Sequence, residues 1–403
     1  MKMYIGQSSS DLRIANRCMV LQGIVENPLI ARSDLARDAK LSKMSVSNIV
    51  SELIENGVVK EIMPGEQSAG TNNPGRKAGL LDLADNSPCV LGVVITRWNI
   101  QVVLGDLRAH ILRLEQRNYR AEMNQELLFA MIMDAIDAVR NGFERKILAV
   151  SVVSMGPVDQ NRGTILSPSN FFGMHDVPVV EAVRAHTNLP VFFSSDSMAA
   201  AQAERLLGEG RNHSDFLFLL IHEGIGCGLI VDGRPYAGAR GLSGELGHTA
   251  IDHNGPKCTC GNRGCLETYA STGRILHHIH SRRKSSGKEE IQIRNWEEIW
   301  HAATGGVQEA VSAIEEYCDA LSVALVNMVN VFDPELIFLY QHADRKADEM
   351  IIRLLKERIN RCTLARDCRQ IEICRATFGE QAVLVGSLAL CIVHVFDGEL
   401  SFC

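Results

Sequence analysis

One window constrains this chain more than any other: Glu245-Leu246-Gly247-His248, followed by Cys258-Thr259-Cys260-Gly261-Asn262-Arg263-Gly264-Cys265-Leu266-Glu267. One imidazole and three thiols fall within a short segment, and three Cys plus one His is a closed tetrahedral ligand set for zinc. Gly255, Pro256, Gly261 and Gly264 leave the segment no helix or strand periodicity, so there is no apolar face through which inert thiols could simply be buried. The spacing predicts one structural zinc per chain on His248, Cys258, Cys260 and Cys265. Glu245 and Glu267 flank these ligands, and a four-ligand site does not need them.

The pattern ExGH followed by CxCGxxGCxE resembles the signature of the ROK family, a group of bacterial sugar kinases and sugar-responsive repressors. The resemblance implies that Glu245, His248 and Glu267 also face a sugar. That is chemically sensible, because imidazole has one nitrogen for a metal and one for a hydroxyl. It extends over nearly the whole chain, so the question becomes kinase or repressor.

A length of 403 residues is too great for one ordinary core and points to two or three domains. The N-terminus lacks the apolar stretch of a signal peptide, and no later run is expected to reach the length of a membrane span. A cytoplasmic bacterial protein without membrane insertion follows as the expectation. Twelve cysteines are too sparse for a disulfide scaffold, and Cys18, Cys89, Cys374 and Cys391 stand in apolar stretches, so reduced thiols are expected. The formal charge of −7 is unevenly spread. Residues 1 to 80 carry ten Lys or Arg against eight Asp or Glu, leaving 31 against 40 elsewhere, so any DNA contact belongs to the first eighty residues.

That segment reads as a winged helix-turn-helix. Ile14, Cys18, Leu21 and Val25 recur at helical spacing before Pro28. A second helix starts near Ser33, Leu41-Ser42 turns the chain, and Val46, Ile49, Val50, Leu53 and Ile54 form one stripe ending at Gly57. Val58–Ile62 and Leu80–Leu83 predict two strands around a loop rich in Gly, Asn and Pro. The start of the third helix offers Lys43, Ser45, Ser47 and Asn48 to phosphates and base edges. The wing tip offers Arg76 and Lys77 to phosphate or a minor groove. The run from Ala31 through Ser42 to Gly57 resembles the helix-turn-helix of ROK repressors, with Ser45 for the usual threonine and Lys77 for the usual proline.

From Ser87 onward, β-rich apolar runs alternate with helices. Strands are expected over 90–95, 100–107, 148–153, 191–194, 216–221 and 227–231, and helices near 125–140, 178–187 and 197–207. Such a body is α/β with mixed sheets and, by length, two lobes. The resemblance implies a bilobal actin-like, ribonuclease-H-like sugar-kinase fold, divided as residues 1–85 for the DNA-binding domain, 86–197 with a C-terminal helix 387–403 for the first lobe, and 198–386 for the second.

The kinases of the family carry DxGGTK after the first strand of the body, where aspartate organises metal and glycines admit phosphate. Here the stretch is Gly92-Val93-Val94-Ile95-Thr96-Arg97-Trp98-Asn99, with Val94 in place of the aspartate. Their GTGxGxG loop reads His222-Glu223-Gly224-Ile225-Gly226-Cys227-Gly228, and a third glycine pair reads Tyr340-Gln341. Three ATP-side elements have drifted, which predicts no kinase activity. The sugar side is kept: Gly156-Pro157-Val158-Asp159, Asn170 and Asp196 match the family, although Ser195 and Met198 replace neighbouring asparagines. Asn170, Asp196, Glu245, His248 and Glu267 are the expected sugar contacts.

The leading expectation is a sugar-responsive transcriptional repressor, a homodimer or homotetramer on operator DNA, with a sugar or sugar phosphate as effector. The alternatives are an active kinase carrying a DNA-binding domain, and a repressor controlled by a sugar-transport protein.

Overall fold

The computed structural model describes residues 9–63, 79–168, 171–222, 224–287, 293–341 and 345–400. The N-terminal module is built from α1 (Ser9–Glu26), β1 (Ile30–Ala31), α2 (Arg32–Asp38), α3 (Lys43–Glu55), β2 (Val59–Ile62) and β3 (Leu80–Leu83). Ser42 starts α3, its hydroxyl accepting the Ser45 N–H at 3.0 Å, and Gly57 takes the left-handed φ of 68° just beyond the end. The apolar stripe Val46, Ile49, Val50 and Leu53 packs on Leu21, Ile24 and Leu35. β3 is the middle strand, antiparallel to β2 with Lys60 opposite Asp82 and to β1 on its other edge.

Residues beyond 85 form two five-stranded sheets. The first contains β4 (Cys89–Ile95), β5 (Asn99–Gly105), β6 (Ile111–Asn118), β7 (Ile147–Ser154) and β10 (Val191–Ser195) in the order β10-β7-β4-β5-β6, with β8 (Val158–Asp159) and β9 (Thr164–Ile165) pairing separately. Helices α4 (Gln125–Arg140) and α5 (Val179–Thr187) complete this half. The sequence reading assigns no strand to β6, an edge strand whose residues alternate half-buried and exposed. Arg113, Glu115 and Arg117 fall on its half-buried face and Leu112 and Leu114 on its exposed one, so no apolar run or apolar alternation toward the core marks it.

The second sheet contains β11 (Phe216–Ile221), β12 (Ile225–Val231), β13 (Arg234–Pro235), β14 (Leu336–Gln341) and β15 (Glu372–Arg375) in the order β13-β12-β11-β14-β15. Its helices are α6 (Asp196–Leu207), α7 (Glu267–Ala270), α8 (Thr272–Ser285), α9 (Trp296–Thr304), α10 (Gln308–Phe332) and α11 (Arg345–Cys362), while α12 (Ala382–Phe396) returns to the first sheet.

Helices α6 and α12 lie against each other between the sheets, α6 touching β11 and β12 and α12 touching β4, β5 and β7. Small residues permit this. A Cβ on Gly386 would stand 2.3 Å from the Ala199 carbonyl oxygen, and one on Gly228 would stand 2.4 Å from that of Ser197, so helix and strand backbones touch without side chains between them. Being enclosed also makes α12 apolar on all sides. The 18-residue stretch Gly379–Phe396 has a mean hydropathy of 1.7 with 67% of it buried inside the protein. This corrects the expectation that no run reaches span length: the stretch passes by length and composition, and the fold spends it as core.

The N-terminal module docks on the end of α12. Cys18 is buried there, its thiol 3.6 Å from the Val395 carbonyl. Arg108 clasps the joint, donating to the Val25 carbonyl at 2.9 Å and the Ile24 carbonyl at 3.1 Å at the end of α1, and to Asp82 of β3 at 2.6 Å. Carbonyls at a helix C-terminus lack intrahelical donors, so a half-buried guanidinium satisfies both them and the helix dipole. Arg108→Ala should cost about 3 kcal/mol by leaving these acceptors unpaired. The measurement is hydrogen exchange, with faster exchange expected in residues 9–63 and 79–83 and little change in the second sheet.

Candidate ligand cleft and metal centre

The segment between β12 and α8 is held by its own backbone. The Ile251 N–H donates to Gly264, that of Cys258 to Asn262 and that of Gly264 to Pro256, each at 2.8 Å. Gly264 has φ 64°, and a Cβ on it would stand 1.6 Å from the Asp252 carbonyl oxygen, so only glycine closes the loop there. This closure gathers His248, Cys258, Cys260 and Cys265, whose ligand atoms all lie within 4.8 Å of one another. The Cys258 sulfur is 3.6 Å from His248 Nδ1, and the Cys260 and Cys265 sulfurs are 3.6 Å apart. A tetrahedral ion with bonds of about 2.3 Å to sulfur spaces its ligand atoms by about 3.8 Å. The group could therefore hold a metal ion. The chemistry agrees: burial, together with the neighbouring thiols, pushes Cys265 up to about 12, a cost that a bound cation removes.

Because Nδ1 turns toward the sulfurs, the opposite ring nitrogen of His248 is left for another partner. Three carboxylates gather nearby, Glu245 lying within electrostatic reach of His248, Asp196 and Glu267. Glu245 precedes the short 3₁₀ turn that carries His248, and a Cβ on Gly156 would stand 2.4 Å from its Oε1. Glu267 opens α7, its Oε2 lying 3.1 Å from where a Cβ on Gly247 would be. Asp196 is the first residue of α6, with Oδ1 accepting the Ser197 N–H at 2.7 Å. Burial raises Asp196 to about 6, partly offset by that N–H and by Arg97. Burial likewise raises Glu245 to about 7, with the negative charges of Asp196 and Glu267 adding and His248 opposing. Partly dry carboxylates of this kind accept hydrogen bonds from hydroxyls that cannot be replaced by bulk water.

Four of the five expected sugar contacts thus meet in one place, Asp196, Glu245, His248 and Glu267. Asn170 lies outside the described residues, as do Glu223, Arg76 and Lys77. The sequence reading gives Arg97 no part in the cleft, yet it acts electrostatically on Asp196, and its Nη2 approaches the same point above Gly224 as Glu267 Oε2. The signal was a cation replacing a small residue in a phosphate-loop position, legible once the loop is known to border the carboxylates.

On the N-terminal module, Lys43 and Asn48 are exposed at the start of α3, and Met44 beside them is 76% exposed. Ser45 and Ser47 are less open. Both are half-buried, with the Ser45 hydroxyl 2.9 Å from that of Ser42 and the Ser47 hydroxyl accepting from Arg32 at 3.2 Å. Arg32 in turn pairs with Glu61 of β2 at 2.8 Å, so Ser47 is tied through Arg32 to β2, while Ser45 belongs to the cap of α3.

The positions of the drifted ATP-side elements are filled. Val94 is buried in β4 against the α12 core. Gln341 is buried, accepting from Tyr317 at 3.1 Å and donating to Asp348 at 3.2 Å.

A profile described as the ROK family matches residues 90–393. The chain belongs to the ROK family. It is 29% identical over 402 residues to the xylose repressor of Caldicellulosiruptor bescii, a match spanning 97% of this chain and 98% of that one. It is 27% identical over 376 residues to the DNA-binding transcriptional dual regulator NagC of Escherichia coli, spanning 92% and 90%. The crystal structure of a ROK family transcriptional regulator, described as a homologue of the E. coli MLC protein, superposes with a TM-score of 0.80 at 26% identity, covering 96% of this chain and 98% of that chain. A ROK family glucokinase from Streptomyces griseus superposes with a TM-score of 0.65 at 24% identity over 75% of this chain. The glucokinase shares the fold, and the ROK body is an α/β sugar-kinase architecture.

Proposed function

We propose that this ROK protein is a sugar-responsive transcriptional repressor of carbohydrate uptake or catabolism genes, acting in the cytoplasm as a homodimer or homotetramer. The observation that carries this reading is the extent of the likeness. The relatives named as repressors or regulators match this chain over 92–97% of its length, the N-terminal module included, whereas the glucokinase covers 75%. Residues 1–85 bind operator DNA as a winged helix-turn-helix, 86–197 with the C-terminal helix form the first lobe, and 198–386 form the second. Asp196, Glu245, His248 and Glu267, with Asn170, accept a sugar or sugar phosphate. The metal is a structural zinc, one per chain, because three sulfurs and one imidazole nitrogen in a closed tetrahedron suit that ion. It fixes the loop bearing Glu245 and Glu267. Buried Val94 and the internally bonded Gln341 support binding without ATP turnover.

The test is a gel-shift titration of operator DNA with and without sugars, alongside a coupled ATP-consumption assay. Sugar-dependent release of DNA with background ATP turnover is the expected result, and brisk sugar-dependent ATP consumption would overturn it in favour of a kinase. For the DNA face, Lys43→Ala should weaken binding about equally across sequences and reduce the salt slope by about one. Asn48→Ala should cost about 1–3 kcal/mol on the cognate site only, through loss of a base-edge contact. Unchanged operator affinity in both variants would move recognition off α3.

A further inference from the structure

The β4–β5 turn is braced on both sides of Arg97. Thr96 Oγ1 donates to Asn99 and accepts the N–H groups of Trp98 and Asn99 at 3.1 and 3.0 Å, while the Tyr119 hydroxyl donates to the Thr96 carbonyl at 3.0 Å. A turn held this way presents its side chain from a fixed origin, which is what recognition needs. The side chain it presents is half-buried. Arg97 Nη2 and Glu267 Oε2 lie 3.6 and 3.3 Å from the same point, where a Cβ on Gly224 would stand.

Arg97 nonetheless makes no hydrogen bond or ion pair with the described residues, although other half-buried arginines of this chain, Arg108 and Arg32 among them, are fully engaged. A guanidinium carries five donors in a planar fork, is always charged, and matches the geometry of an oxyanion. Hydroxyls of a neutral sugar are already served by the acceptors Asp196, Glu245 and Glu267. They give no reason for a permanent cation at the rim.

We propose that the effector is an anionic sugar, its hydroxyls held by the carboxylates of the cleft and its oxyanion, a phosphate ester or a uronate carboxylate, held by Arg97. The inference rests on the reading of the cleft as a sugar site and adds the charge of its ligand. Repulsion from Glu267 is offset because the oxyanion occupies the guanidinium fork, where charge-assisted bonds are about twice as strong as neutral ones.

The experiment is calorimetric titration of the full chain with matched sets: glucose, glucose 6-phosphate and glucuronate; N-acetylglucosamine and its 6-phosphate; xylose and its 5-phosphate. At least one anionic member should bind about tenfold or more tightly than its neutral parent. Arg97→Ala should bring the two within about threefold, chiefly by weakening the anionic member, and Arg97→Lys should retain part of the preference. The phosphate and uronate arms separate the two sources of the oxyanion. If Arg97 merely balances the carboxylates, Arg97→Ala weakens neutral and anionic sugars alike, and that result overturns the inference. So does a neutral parent that binds as well as its anionic partner to the unmodified chain. Operator gel shifts separate this failure from the wider one: release by neutral sugars alone sinks the anionic effector and leaves the sensor reading standing. Binding and release by none of these compounds sinks both.

Discussion

Cys265→Ser should reduce bound zinc from about one per chain to near none, the expectation for a four-ligand site that has lost a buried thiolate. Cys265 is fully buried and lies 3.6 Å from the Cys260 sulfur, and a serine hydroxyl at neutral pH supplies neither the charge nor the softness of the lost ligand. Structural zinc sites contribute apparent binding free energies of roughly 10–16 kcal/mol in isolated peptides. Even a fraction of that exceeds what the backbone bonds of this short loop can replace. The consequence should reach the cleft, because Glu245 and Glu267 stand at the two ends of the loop and His248 belongs to both proposed sites. Sugar binding should therefore fall with the metal, while operator binding, proposed to rest on the N-terminal module, should persist. Metal analysis and hydrogen exchange over 245–267 are the measurements. Full zinc content in the variant would exclude Cys265 as a ligand.

Asp196→Asn should leave operator affinity intact and abolish the effector's influence on it. The amide keeps the oxygen that accepts the Ser197 N–H but loses the charge that receives a sugar hydroxyl. Burial raises this carboxyl from 3.8 to about 6, so ionising it costs folding stability as pH rises through that interval. Asparagine has no such cost, and the variant should melt higher than the parent at pH 7 without ligand. A site that trades stability for recognition behaves in this way. For the parent, effector affinity should be full above about pH 6 and fall by about tenfold per pH unit below it, if one ionised carboxyl is required. Arg97 and Glu245 act on Asp196 and shape the midpoint. A parent whose affinity is flat from pH 5 to 8 would show that the ionised form of Asp196 is not what the sugar meets.

The position of Asp196 also suggests how the effector reaches DNA. It begins α6, and the other end of α6, Leu206 and Leu207, lines a cavity of about 230 Å³ with Val25, Pro28, Arg108 and Phe396. One helix thus spans from the cleft to the joint that holds the N-terminal module, in close contact with α12 along the way. A ligand that favours one setting of this helix by about 3 kcal/mol shifts the equilibrium more than a hundredfold.

Local chemistry made much of this legible from the chain alone. The four metal ligands are close in sequence and are brought together by turn residues, so spacing suffices to group His248, Cys258, Cys260 and Cys265. The stripe of α3, its Ser42 cap and the strands that contain Gly92 and Gly228 follow from periodicity and apolar runs, which are also local properties. The family resemblance extended this to the cleft by naming Asp196, Glu245 and Glu267, residues separated by as many as 71 positions that no local pattern could gather.

Tertiary structure decided the rest, wherever the partner of a residue is distant. Ser47 looks available in sequence, and only the fold shows Arg32 taking its hydroxyl. The stretch Gly379–Phe396 has the composition of a membrane span, and only its position between two sheets makes it core. No local pattern gives Arg108 or Arg97 a partner. Packing sends the first to the carbonyls ending α1 and the second to the rim of a carboxylate cleft. Hydrophobic period and turn chemistry act over a few residues and are written in the sequence. The environment of a charge is set by chain segments tens to hundreds of residues away, and folding alone brings them together.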